Sequence, residues 1–131
     1  MTYLVDTDWV ADWLVGEPRA VHLLTALSER GIAISLITFG EIYEGIYYGR
    51  SLKEAERGFR KFLRQVDILP LNRPIMRCFA RVRGDLRRRG QLIGDPDILI
   101  AATAIHHSLT LVTRNIKDFQ RIPDLTLHHS G

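Results

Sequence analysis

The sequence predicts an α/β protein: a central, mainly parallel sheet of four or five strands with helices on both faces. Two observations carry this expectation. Short apolar runs ("YLV", "IAIS", "LTLVT") alternate with longer segments of helical periodicity. The runs are apolar along most of their length instead of at every second position, as strands covered on both faces require. At 131 residues, 46% hydrophobic and 25% charged, the composition is that of one globular domain, 1–131. A chain of this length buries roughly two thirds of the surface its unfolded form exposes. It therefore needs neither a disulfide nor a structural metal to fold.

The elements follow in order. Tyr3–Val5 is a short buried strand ending at Asp6. Asp8–Val15 is a short helix stopped by Gly16, with Asp8 as its expected cap. Pro18–Arg30 is a helix with proline in its first turn and Gly31 beyond its end. Ile32–Ser35 is a second strand, and Thr38–Tyr48 a helix with Phe39, Ile42 and Ile46 on one face. Ser51–Gln65 opens with "SLKE", the spacing of a capping box. Asp67–Leu71 is a third strand, Pro74–Arg89 an arginine-rich helix ended by Gly90, and Asp95–His107 an alanine-rich helix. Leu109–Thr113 is a fourth strand and Leu125–His129 a weaker fifth.

Charge and composition narrow the function classes. The single cysteine, Cys78, excludes an intrachain disulfide and fits a reducing cytosol. No apolar run approaches the ~20 residues of a membrane span, and "MTYLVDTDWVADWLV" lacks the basic leader of a signal peptide. The expected setting is cytoplasmic, with no membrane contact. The net charge of +3 is uneven: Arg73–Arg89 holds seven arginines and one acid, and Arg57–Arg64 is also basic. These stretches are either solvated helix faces or surfaces for phosphates or an acidic partner.

The acids are the informative residues. Asp6 and Asp8 follow the first strand, Glu41 lies early in the helix after the second, Asp95 and Asp97 open "DPDILIAATA", and Asp118 follows the fourth strand. Ligands of open α/β sheets bind outside the carboxyl ends of the strands, so several of these acids should converge there. Clustered carboxylates repel one another unless a cation lies among them. Ligation by oxygen alone selects a hard ion, Mg²⁺ or Mn²⁺. His106 and His107 sit at the far end of their helix, away from this edge. Each acid also has a local reading. Asp95 before Pro96 is the pattern of an N-cap with proline at N1, and Asp97 would then complement the helix dipole at N2. Asp97 shares a helical face with Ile100, Ala101 and Ala104, which would aim it at the strand ends. Asp118 reads as a turn residue or a site residue, and Asn115 as a holder of water or phosphate.

Four blocks, "YLVDTD", "ITFGEIYEG", "IGDPDILIAATA" and "LVTRNIKDF" with "RIPDL", resemble the signature segments of PIN-domain ribonucleases. More narrowly, they resemble the VapC-type toxins of toxin–antitoxin modules. The likeness runs in order from Tyr3 to Leu127. It implies a PIN-like three-layer fold, an acidic Mg²⁺ or Mn²⁺ pocket and cleavage of RNA. Carried over by position, Asp6, Glu41 and Asp97 are the first three acids of the site. The fourth place falls to Asp118 or Asn115, and Thr7 stands where a small hydroxyl residue positions Asp6. The resemblance also implies a cognate antitoxin, a homodimer, and a larger toxin–antitoxin hetero-oligomer.

Other classes make different demands on the same residues. "DTDWV" matches the opening of haloacid-dehalogenase-type phosphohydrolases, with Asp6 as nucleophile and Asp8 as general acid. That chemistry needs a longer chain and a lysine near the phosphate. A receiver-like domain needs an aspartate at the end of the third strand, where Asp67 instead begins one. A non-catalytic module that binds nucleic acid or protein would account for the arginines but not for the aligned acids.

Overall fold

The computed structural model describes residues 1–129; the last two residues of the expected domain, 130 and 131, lie outside them. The order is β1 (Tyr3–Val5), α1 (Thr7–Leu14), α2 (Pro18–Ser28), β2 (Ile32–Ser35), α3 (Leu36–Tyr47), α4 (Leu52–Leu63) and β3 (Asp67–Leu69). Then come α5 (Arg73–Arg88), α6 (Asp95–His106), β4 (Thr110–Val112), α7 (Ile116–Phe119) and β5 (Thr126–Leu127). The strands form one sheet in the order β3-β2-β1-β4-β5, and every pairing is parallel.

The alternation of side chains along a strand divides the core in two. Leu4, Ala33 and Leu111 point to one face, where they pack with residues of α5 and α6. Val5, Ile34 and Val112 point to the other, beneath residues of α1 to α4. Adjacent residues thus enter opposite cores, which is why the strands are apolar without a break. The fold is the expected α/β sheet between two helical layers.

The chain lays down β1, β2 and β3 in one direction, then returns to place β4 on the other side of β1. The strand order therefore reverses between β1 and β4, and a crevice opens there at the carboxyl ends of the strands. Asp6 follows β1 at this point, and its N–H extends the ladder by donating to the Val112 carbonyl (2.9 Å).

Several local expectations are corrected. Asp6, not Asp8, caps α1: its carboxylate accepts from the Thr7 N–H at 2.8 Å. Helix α3 begins at Leu36 because the Ser35 hydroxyl caps it, accepting from the Thr38 N–H at 3.1 Å. The Ser51 capping box does not form; Ser51 makes no side-chain cap bond. Gly94, not Asp95, is the N-cap of α6, so Asp95 and Asp97 both lie inside its first turn. Strand β3 ends at Leu69, before Pro70, which has no N–H to extend the ladder. The single-turn helix α7 is too short to show a period in sequence. Helix α6 is buried over most of its circumference, Ile98 and Ile100 to Ala104 included. It is packed between the sheet and α5.

Candidate active site

Asp6 is the anchor. It is 6% exposed, and both its oxygens are held. One accepts from the Thr7 N–H, and the other accepts the Thr113 hydroxyl at 2.7 Å. Burial pushes its pKa up, the two hydrogen bonds pull it down, and the charges of Asp8 and Glu41 push it up again. Thr113 was not singled out in the sequence. Its signal is the register: β1 and β4 pair Val5 with Val112, so the next residue of β4 falls beside the next residue of β1.

Glu41 comes from the second turn of α3. Its carboxylate accepts the Thr7 hydroxyl at 2.6 Å, and the Thr38 hydroxyl lies 3.0 Å from that of Thr7. Thr7 therefore does two jobs: its backbone N–H holds Asp6, while its hydroxyl, expected to position Asp6, is instead directed to Glu41. Thr38 is fully buried and supports this link from below.

Asp97 is half-buried in the first turn of α6. Its pKa is raised from 3.8 to about 6, first by burial and then by the charges of Asp6, Glu41, Asp118 and Asp8. Every one of these influences is unfavourable to the ionised form. Five acids from four separated segments thus act on one another at the carboxyl end of β1, β2 and β4. Asp118 lies in α7, where its carboxylate accepts from the Asn115 side-chain amide at 3.1 Å and faces Arg121 at 3.7 Å. Asn115 in turn donates its backbone N–H to the Thr113 hydroxyl at 3.0 Å. The two residues that competed in sequence for one place are therefore joined, with Asn115 holding Asp118.

Asp95 is placed differently. It is exposed and bound to Arg83 of α5 at 2.8 Å, which gives it a role at the contact between α5 and α6. Among the described residues, no arginine of α5 forms an ion pair with Asp6, Glu41, Asp97 or Asp118; Arg88 and Arg89 instead bind Asp85 on their own helix at 3.5 and 2.9 Å.

The donor set is carboxylate oxygen throughout, and no cationic side chain is among the leading influences on Asp6 or Asp97. That chemistry fits a hard divalent ion. Among the described residues, however, no three Asp, Glu, His or Cys side chains stand close enough together to form a ready-made metal shell.

Comparison with known proteins agrees with this architecture. The family model described as the PIN domain matches residues 3–125. Ribonuclease VapC2 of Rickettsia felis is 30% identical over 131 residues, covering 98% of each chain. Ribonuclease VapC1 of Methanocaldococcus jannaschii is 35% identical over 124 residues, covering 95% of this chain and 83% of its own. Among solved structures, VapBC2 from Rickettsia felis, bound to a DNA fragment from its promoter, superposes with a TM-score of 0.91 at 31% identity, covering 98% of both chains. FitAcB from Neisseria gonorrhoeae superposes with a TM-score of 0.86 at 29% identity, covering 98% of this chain and 97% of its own. The chain belongs to the PIN-domain family and, within it, to the VapC group.

Proposed function

We propose that this protein is the endoribonuclease toxin of a toxin–antitoxin module, and that it hydrolyses RNA phosphodiester bonds with Mg²⁺ or Mn²⁺ held by Asp6, Glu41, Asp97 and Asp118. The observation that carries this reading is the convergence of acids from β1, α3, α6 and α7 on one crevice, with no protein cation among the leading influences on Asp97. Its relatives are named ribonucleases, and similar structures are toxin–antitoxin complexes.

A divalent ion bound there supplies a water of lowered pKa and polarises a phosphoryl oxygen. The residues divide the remaining work. Asp6, fixed by Thr7 and Thr113, offers ligand oxygens in a set direction. Asp97 offers its carboxylate from the first turn of α6, and Asp118 does so from α7, where Asn115 holds it. Glu41, reached by the Thr7 hydroxyl, is placed to complete the ligand set or to take a proton from the attacking water. In-line attack leaves a 5′-phosphate and a 3′-hydroxyl. RNA that is single-stranded or looped presents its phosphates to such a site.

The partners that go with this reading are the RNA substrate, a cognate antitoxin that blocks the crevice, and a second copy of the toxin in a homodimer. The setting is the cytoplasm; among the described residues, no helix is long and apolar enough to cross a membrane. The test is cleavage of labelled RNA with and without EDTA, by the wild type and by Asp6→Asn. Cleavage that needs Mg²⁺ or Mn²⁺ and is lost in the folded variant is expected. Cleavage that survives either change refutes the assignment.

A further inference from the structure

A second cleft adjoins the acids on the side of β4 and β5. It measures about 420 Å³ and is lined by Trp9, Arg19, Thr113, Arg114, His128 and His129, with no acid in its wall. That volume lies within the ~300–1,000 Å³ of small-ligand sites. Thr113 belongs to both places, because its hydroxyl donates to Asp6. Thr113 is thus the point at which the cleft and the acidic crevice meet.

The two arginines differ in their ties. Arg114 lies over the Trp9 ring, 4.1 Å from its centroid, and is bound to Asp12 and, at 3.6 Å, to Glu17. It is thus a fixed part of the wall. Arg19 is exposed and makes no ion pair among the described residues, so its charge is available to a ligand. Trp9 is 4% exposed, and its indole nitrogen has no hydrogen-bond partner among the described residues; His128 Nδ1 has none either. Both nitrogens are closed off from solvent, so what the cleft offers a ligand is the Arg19 guanidinium and the exposed His129 ring. A polyanion drawn towards five carboxylates also needs cations beside them. Phosphates are gripped by arginine, and bases stack on flat side chains such as histidine.

We propose that this cleft is a nucleotide subsite for the RNA strand next to the scissile bond, with Arg19 binding a flanking phosphate and His129 offering its ring to a base. The inference rests on the ribonuclease reading above, and deepens it by assigning a binding residue outside the acidic set. Arg19 is a positioning residue, so its loss acts on binding before chemistry.

The test measures anisotropy of a fluorescent single-stranded oligoribonucleotide titrated with Asp97→Asn protein, with and without Arg19→Glu. Lys61→Glu, a matched charge change on α4, is the control, and Arg19→Lys the conservative variant. Arg19→Glu is expected to weaken binding about tenfold and to lower the salt slope by about 1, as for loss of one phosphate contact. Lys61→Glu is expected to weaken it less than about twofold, and Arg19→Lys to retain most of the affinity. In an otherwise wild-type chain, Arg19→Glu should raise KM and leave kcat unchanged. Unchanged binding in folded Arg19→Glu, or equal losses from Lys61→Glu, overturns the subsite. Loss of affinity for an acidic protein partner with RNA binding intact also overturns it. A wild type that cleaves RNA while Arg19→Glu behaves identically sinks the subsite alone; a wild type that neither binds nor cleaves RNA sinks the ribonuclease reading as well.

Discussion

Replacing Asp97 by asparagine should make the metal-free protein more stable while removing its activity. The carboxyl is held at about 6 instead of 3.8 by burial and by four neighbouring acids. At ~1.4 kcal/mol per pH unit, that difference corresponds to about 3 kcal/mol favouring the neutral form in the folded state. Water reaches part of this half-buried group, and screening reduces the share that appears in stability to about 1–2 kcal/mol. Asparagine also forgoes the attraction of a carboxylate to the start of α6, about 0.3–1 kcal/mol. The repulsion is the larger effect, so the variant should gain about 0.5–1.5 kcal/mol net. In a domain of this size, that raises Tm by about 2–6 °C. The sign with pH follows from linkage. Because the folded pKa lies above the unfolded one, the folded wild type holds more protons between about pH 4 and pH 6. Its stability relative to the variant is greatest below that window, falls as pH rises through it, and reaches its floor above about pH 6. Thermal melts in EDTA across this range measure the effect. A variant that is no more stable than the wild type near neutral pH, or whose advantage does not shrink towards pH 4, refutes the reasoning.

Three further outcomes are expected. Mg²⁺ or Mn²⁺ should raise the Tm of the wild type, by the equivalent of about 2.7 kcal/mol at a hundredfold excess over Kd, and raise that of Asp97→Asn much less; equal responses would place the ion elsewhere. Thr113→Val should destabilise the protein by about 1–3 kcal/mol near pH 7 in urea titrations, because buried Asp6 loses a charge-assisted bond; an unchanged midpoint would mean that water replaces the hydroxyl. Asp8→Asn should retain RNA cleavage, since Asp8 is exposed and acts on the cluster only through its charge; an inactive, folded Asp8→Asn would favour a phosphohydrolase in which Asp8 is the general acid.

The sequence alone determined the sheet, the helices and the positions of the acids along the chain. Those properties are local: an unbroken apolar run reports burial on both faces, and a glycine or proline reports a boundary. Asp6, Glu41 and Asp97 stood out because a charge beside a buried run is costly wherever it occurs. The single-turn helix α7, too short for a period, went unmarked, and the edges of β5 could not be set by pattern. The pairings belong to the tertiary structure. Thr113 meets Asp6 across 107 residues, and Thr7 meets Glu41 across 34, because parallel strands in register bring their ends level. Asp95 and Asp97 look alike in "DPD", yet one binds Arg83 and the other joins the acids. Two residues along a helix turn a side chain by about 200°, and only the packing of α6 between the sheet and α5 decides which direction faces the crevice.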